Sequence, residues 1–366
     1  TWTPNIFNKS LHITLGARHS RDHRYALKNQ RDEVFIEYSP VNGVPLVLPL
    51  AELAQNPVLG PVLGPVFMQA GLPGDRRFDN ASGDRRFKDD SFSLLTEYEI
   101  NDDINIYGKL VEAYKSGGFN TRDPQLDGNQ GPASDGIDYG VGFADGFGEE
   151  KARTAELGIK SEWMGGRLRV NADIYRTEFD DMQMNFILNG TIADTKVLNA
   201  GRASMSGFEF DVTALVNDDL VVTMEYAYLD AEITEVIDSF GNDVTQRYAF
   251  SAAPVNSYTA SANWIAWRGE SALLQLNINT SYMDTRLGGG DVQKAYTILR
   301  DYQLWNARLS LDEIRFANGS VSIALWGKNL LDKEYESYAI DNLPHADRAV
   351  LWGDPLSYGI DLAYRY

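Results

Sequence analysis

"GFEFDVTALV", residues 207–216, decides how this chain folds. Phe208, Phe210, Val212 and Ala214 alternate with Glu209, Asp211 and Thr213. Successive side chains of a strand point to opposite faces, so this segment has one greasy face and one wet face. The same period recurs along the chain. In "LHITLGAR" (11–18), Leu11, Ile13, Leu15 and Ala17 alternate with His12, Thr14, Gly16 and Arg18. In "LLQLNINTSY" (273–282), Leu274, Leu276, Ile278, Thr280 and Tyr282 share a face opposite Gln275, Asn277, Asn279 and Ser281. At the chain end, "YGIDLAYRY" (358–366) sets Tyr358, Ile360, Leu362, Tyr364 and Tyr366 against Gly359, Asp361, Ala363 and Arg365.

Read this way, the sequence predicts about twelve strands, at 11–20, 91–100, 104–115, 154–163, 167–177, 206–216, 220–230, 257–267, 271–284, 303–312, 320–330 and 357–366. Short turns such as Asn101-Asp102-Asp103, Met164-Gly165-Gly166 and Asn217-Asp218-Asp219 alternate with long segments. Those segments are 23–90, 116–153, 178–205, 231–256, 285–302 and 331–355, expected as extracellular loops. Strands near ten residues, joined by short turns on one side and long loops on the other, describe an all-β transmembrane antiparallel barrel. A soluble sandwich or propeller also alternates. Aromatics near strand ends favour the membrane: Trp163, Tyr175, Tyr226, Tyr228, Trp264, Trp267, Tyr282, Trp305, Trp326, Tyr364 and Tyr366 are read as an interfacial girdle.

Composition narrows the function. The 366 residues contain no cysteine, which excludes thiolate metal sites, disulfides and cysteine nucleophiles. A net charge of −19 argues against nucleic acid as a partner, because phosphate neutralisation needs a basic face. Only four histidines are present, and no serine sits in a recognisable nucleophile elbow near His12 or His19, so an enzyme is not expected. No window of eighteen apolar residues suggests a membrane-crossing helix. Two loops stand out. The first, "NPVLGPVLGPVF" (56–67), is a proline-rich apolar stretch that cannot be a central strand, and "GDRRF" occurs twice nearby, at 74–78 and 83–87. The second, 134–150, is acidic; Asp135, Asp138, Asp145, Glu149 and Glu150 fit no ordered calcium loop and read as a solvated segment. No metal site and no cofactor are expected.

Several stretches, in order, resemble the TonB-dependent outer-membrane receptors. "NLLDKEY" (329–335), with Asn329, Leu330, Asp332 and Tyr335, resembles that family's signature near the C-terminus. "VEAYKSGGFNTR" (111–122) carries Gly117, Gly118 and Asn120 of a strand-end motif. "EEKARTAELGIKSEW" (149–163) supplies Glu156, Gly158 and Lys160; "NAGRASMSGFEFD" (199–211) supplies Asn199, Gly201, Gly207 and Glu209. Tyr366 stands where the family usually ends in phenylalanine, and Leu356 where it commonly has arginine.

The resemblance implies the C-terminal half of a 22-stranded barrel, with neither a plug domain nor the N-terminal segment that recruits the energising complex. It implies active uptake of a scarce ligand (an iron–siderophore, cobalamin or a saccharide) across the outer membrane, powered by the TonB complex. A passive twelve-stranded pore is the alternative. The resemblance further implies that Tyr358, Ile360, Leu362, Tyr364 and Tyr366 form the signal read by the barrel-assembly machinery. Outer-membrane lipid and lipopolysaccharide are expected neighbours. Charges on the wet face are expected to meet ligand, because lysine or arginine facing lipid at the midplane costs about 2–4 kcal/mol. Arg18, Lys109, Glu209, Asp211 and Arg308, with Arg122 and Tyr139 in a loop, are the candidate ligand contacts, and Glu112 is read as lying on the same wet face.

Overall fold

The computed structural model describes residues 10–32, 76–120, 145–187, 195–237, 241–288, 298–342 and 347–366, with Phe143 and the short stretches 5–6, 35–38 and 46–49. Twelve long strands follow one another: β1 (Leu11–Asp32), β2 (Arg76–Asn101), β3 (Ile104–Lys115) and β4 (Glu150–Trp163). Then come β5 (Leu168–Ile187), β6 (Thr195–Asn217), β7 (Leu220–Val236) and β8 (Asn256–Arg268). β9 (Leu273–Met283), β10 (Tyr302–Phe316), β11 (Gly319–Lys328) and β12 (Ser357–Arg365) complete the series. Each pairs antiparallel with the next in sequence, and the two-residue strand Asn5–Ile6 adds a thirteenth at the β1 edge. Among the described residues no pairing joins that edge to β12, so the sheet is open.

The short turns are built by local side-chain chemistry. Asn101 Oδ1 accepts from the Asp103 N–H, and Asn217 Oδ1 from the Asp219 N–H, both at 2.9 Å. These Asx turns reverse the chain between β2 and β3 and between β6 and β7. Between β4 and β5, Met164, Gly165 and Gly166 all take positive φ (56°, 67° and 83°), a backbone that glycine adopts without penalty.

Cross-strand register makes the greasy residues one continuous belt. Leu94 stands opposite Leu15 and Leu110, Leu157 opposite Ile174, and Ile174 opposite Phe208. Farther along, Leu325 stands opposite Leu309 and Ile360. These residues are not covered by a second sheet. Leu110, Leu157 and Ile174 are 54%, 58% and 54% exposed, and Leu362 is 74% exposed. In water each would forgo about 1 kcal/mol or more of burial. Such a belt on a single sheet is explained by hydrocarbon, and the sandwich reading fails.

Three expectations are corrected. The strands do not stop where the apolar alternation stops: β1 and β2 pair from Leu11–Tyr98 out to Asp32–Arg76, through much of the expected 23–90 loop. The "GDRRF" repeat lies largely on β2, with Arg76 and Arg77 in one copy and residues 83–87 in the other. β5, β6 and β7 likewise run into 178–205 and 231–256, while Arg286–Leu287 with Ile298–Leu299, and Glu336–Asn342 with Asp347–Trp352, form small ribbons in two further loops. A hairpin clear of the bilayer needs no lipid-facing side, so its period-two signal disappears while its pairing continues. Tyr175 and Trp326 do not belong to the girdle: each shares parity with polar-face residues, Tyr175 opposite Glu156 and Trp326 opposite Arg308. Glu112, read as wet-face, stands opposite Arg153 on the outward side, above the belt. The proline-rich stretch 56–67 lies outside the described residues.

Candidate functional site

The polar face of β3–β7 gathers most of the site. Lys109 stands opposite Glu156 and donates to it at 3.1 Å; the Tyr107 hydroxyl donates to the other Glu156 oxygen at 2.8 Å. Across β5 and β6, Asp173 is directly opposite Glu209, and neither has a hydrogen bond or ion pair among the described residues. Next to them, Asn171 donates to both oxygens of Asp211 at 3.1 Å. Asp211 faces Glu225, which accepts from Thr259 at 3.2 Å. Like charges directly opposite one another destabilise a sheet. Four acids thus line a cavity of about 710 Å³, with Arg169 the one arginine among its described lining residues. An external cationic group is what such a wall lacks.

Two glycines let this wall lie thin. Gly158 is opposite Tyr107 and Gly207 opposite Tyr175. A Cβ at Gly158 would come 2.6 Å from the Tyr107 ring, and one at Gly207 would meet Tyr175 in the same way. A neighbouring aromatic covering a strand glycine is a known stabilising device. Here it aligns Tyr107 with Glu156, and Lys160 rides 5.6 Å over the same ring.

Above the wall, three amides tie the long connections down. Asn120, 5% exposed, accepts from the Val197 N–H at 2.7 Å and donates to the Val197 carbonyl at 3.0 Å. Asn199 accepts from the Gly148 N–H and donates to the carbonyls of Glu149 and Asp181. Gln183 donates to the carbonyls of Ser116 and Gly148. Gly117 and Gly118 pack against Phe87 and Phe147, and Gly201 against Met184. A small core of Met184, Ala203, Ile233 and Val236 completes the platform. Asn329 plays the same part for the last long connection. At φ +50° and 3% exposed, it donates to the carbonyls of Lys333 and Asp354 and accepts from the Lys333 N–H. Leu330 packs on Gly327, the Asp332 carboxylate accepts from the Leu356 N–H, and Tyr335 packs on Tyr302 with the rings tilted by 36° and their centroids 4.5 Å apart.

The candidate contacts therefore divide. Glu209 and Asp211 line one cavity, while Lys109, three strands away on β3, is bound to Glu156. Arg308 lies four strands from Asp211, bound to Asp361 at 2.5 Å, and Arg18 is exposed on β1. Arg122 and Tyr139 lie outside the described residues, as do Asp135 and Asp138. Glu150 accepts from the Gln183 N–H, and Glu149 pairs with Lys151 at 3.9 Å, so both acids have protein partners. Among the described residues no group of three or more His, Asp and Glu is disposed to hold a metal ion. One residue carries no signal in the sequence: Arg286, 8% exposed, lies over Tyr302, and its Nη1 has no hydrogen-bond partner among the described residues. Its position in a loop of no periodicity gave no signal.

A family model described as "TonB dependent receptor-like, beta-barrel" matches residues 1–330. The chain belongs to that family. It is accordingly an outer-membrane β-barrel chain that crosses with strands, and no described helix is long and apolar enough to cross. Among curated relatives, the ferric-pyoverdine receptor PbuA of a Pseudomonas species is 27% identical over 196 residues, covering 50% of this chain and 21% of that protein. The probable TonB-dependent siderophore receptor PiuA of Acinetobacter baumannii is 25% identical over 187 residues, covering 51% and 24%. Among solved structures, the ferric yersiniabactin uptake receptor FyuA of Yersinia pestis superposes with a TM-score of 0.64 at 17% identity, covering 100% of this chain and 44% of that one. The chain thus spans less than half the length of the proteins it matches, and at this identity the last likeness concerns the fold.

Proposed function

We propose that this TonB-dependent receptor chain contributes its strands to the wall of a larger barrel that takes up a ferric siderophore, driven by the TonB complex. The observation that carries the reading is the acid-rich polar wall, on which Asp173 and Glu209 face each other with no hydrogen-bond or ion-pair partner among the described residues. A lumenal partner or ligand bearing a cationic group would complete it. Above that wall, Arg286 beside Tyr302 offers a buried cation to the anionic oxygens of an iron chelate. The names of both curated relatives, which speak of ferric pyoverdine and of siderophores, favour iron chelates over cobalamin or saccharides. On this reading, Lys109, Glu209, Asp211, Arg308 and Arg18 belong to the lumen, and the outward row Tyr358, Ile360, Leu362 and Tyr364 on the edge strand meets the barrel-assembly machinery.

The passive pore needs β12 to pair with the first strand, and the open sheet gives that reading no support. The test is uptake of radiolabelled ferric chelates by cells whose one siderophore receptor is the full-length protein containing this chain. Uptake should stop when the TonB complex is deleted. Persistent uptake without it would favour the pore, and uptake of cobalamin or saccharide alone would overturn the iron assignment.

A further inference from the structure

The two small ribbons of the last long connections meet without sharing a backbone ladder. Arg286–Leu287 pairs with Ile298–Leu299 in one two-stranded sheet, and Glu336–Asn342 with Asp347–Trp352 in another. Ile298–Leu299 nevertheless packs against Glu336–Asn342. Side chains make the join. The Arg348 fork donates to both oxygens of Glu336 in its own ribbon, at 3.0 and 2.9 Å. Its Nη2 also reaches across to the Ile298 carbonyl at 3.1 Å. From the other side, Arg286 Nη2 donates to the Glu336 carbonyl at 3.4 Å. The Arg348 and Glu336 side chains are 28% and 15% exposed, so salt screens the pair little.

What the join hides gives it a role. Tyr335 packs on Tyr302, and Glu336 meets Arg286, which itself lies over the Tyr302 ring. The start of the second ribbon therefore covers the Arg286–Tyr302 pair. Nη1 of Arg286 and Nε of Arg348 are buried, with no hydrogen-bond partner among the described residues. A buried donor without an acceptor costs free energy that an incoming anion would offset. No anion reaches Arg286 while Glu336 stays in place.

The first ribbon is anchored from behind, where the Ala252 N–H donates to the Leu287 carbonyl at 2.8 Å. The second is closed at its own root. There Asn329 binds the carbonyls of Lys333 and Asp354, and the Gly353 N–H donates to the Tyr335 carbonyl at 2.9 Å. The second ribbon is thus one piece, free to swing from that root against a fixed neighbour.

We propose that the connection between β11 and β12 is a cover over Arg286, with the Arg348–Glu336 pair as its catch. Opening breaks the Arg348–Ile298 and Glu336–Arg286 contacts and presents both guanidinium groups to an oxyanion. The cover controls access to the site proposed above, and so rests on the reading of Arg286 as the cation that meets the chelate.

The test labels arginines of the full-length protein containing this chain with phenylglyoxal, in detergent, and locates the adducts by peptide mass spectrometry. Arg286 should react slowly in the parent protein. In E336Q it should react about tenfold faster or more, the worth of a hydrogen bond to a charged group. Hydrogen exchange across 298–301, on the connection that carries no substitution, should quicken by a similar factor. Exchange at Gly148 and Val197, on the platform held by Asn199 and Asn120, should stay the same. Rapid labelling of Arg286 in the parent, or no change in the variant, overturns the proposal. Should E336Q not fold, R348K decides. Lysine keeps the charge but cannot hold both Glu336 oxygens while reaching Ile298. Labelling of Arg286 should again quicken, and an unchanged rate overturns the cover. Ferric-chelate uptake by R286Q reads the other claim. Full uptake there, with Arg286 uncovered in E336Q, would sink the chelate role and leave the cover standing.

Discussion

Tyr107 lies over Gly158, its direct partner on the adjacent strand, and from that position donates its hydroxyl to Glu156. The glycine is thus required by a ring on another strand. Gly158→Val would place a side chain inside that ring, forcing Tyr107 off the wall and away from Glu156. A loss of about 1–3 kcal/mol is expected from overpacking of this kind. Gly108 is the control, since a Cβ there meets nothing within 4 Å. Gly108→Ala should leave stability unchanged or raise it by about 0.5–1 kcal/mol. Urea titrations in detergent micelles compare the two; equal tolerance would mean that Tyr107 does not depend on Gly158.

Asn329 combines two roles that separate by substitution. Its side chain makes three buried hydrogen bonds across the turn, and its backbone sits at φ +50°. Asn329→Gly keeps the backbone and loses the bonds, for about 1–3 kcal/mol. Asn329→Ala loses both and should cost about 1–2 kcal/mol more, the usual penalty of a left-handed residue with a Cβ. Melting curves, with limited proteolysis between residues 331 and 355, report the order. An alanine variant no worse than the glycine variant would leave backbone conformation without a role.

Asp284, just past the end of β9, has its carboxyl held below the usual carboxylate range, first by the Asn256 amide at 2.9 Å and then by the Thr285 N–H at 2.8 Å. A depressed folded pKa stabilises the turn above the unfolded value and loses that contribution as pH falls through the folded one. The connection after β9 should therefore loosen on the acid side of the normal aspartate range. Hydrogen exchange at Thr285 and Asn256 would follow it. Asp284→Asn should abolish the pH step, and an unaltered step would assign it to another group.

The twelve strands were legible because lipid imposes period two where it touches the chain, from Leu15 and Leu94 round to Leu362. Beyond Ala17 that pressure ends, and β1 continues through Arg21 and His23 with no greasy parity to betray it. The girdle was partly misread for a related reason: composition says that Tyr175 and Trp326 are aromatic, not which way they face. Parity does, since Tyr175 is two residues from Asp173. For the site, the acids Glu209 and Asp211 were visible one strand at a time. Their meeting with Asp173 and Glu225 depends on register, which no single strand contains. Asn120 and Asn199 were visible as motif residues, but their work as backbone clamps emerges only when connections far apart in sequence meet.

Ile174 and Asn171, three residues apart on β5, offer the sharpest test of which face is wetted by lipid. Ile174 is 54% exposed in the middle of the belt, flanked by Leu157 and Phe208. Asn171 is on the opposite face, bound to Asp211. An arginine at 174 would put a charge against hydrocarbon, at a cost of about 2–4 kcal/mol near the midplane. An arginine at 171 would enter a wall already crowded with Asp173, Glu209 and Asp211, and should be neutral or mildly stabilising through opposite charge. Folding yields into lipid vesicles, with heat-modifiable migration as the readout, should fall for Ile174→Arg and hold for Asn171→Arg. The reverse ranking would put lipid on the acidic face and undo the assignment of inside and outside.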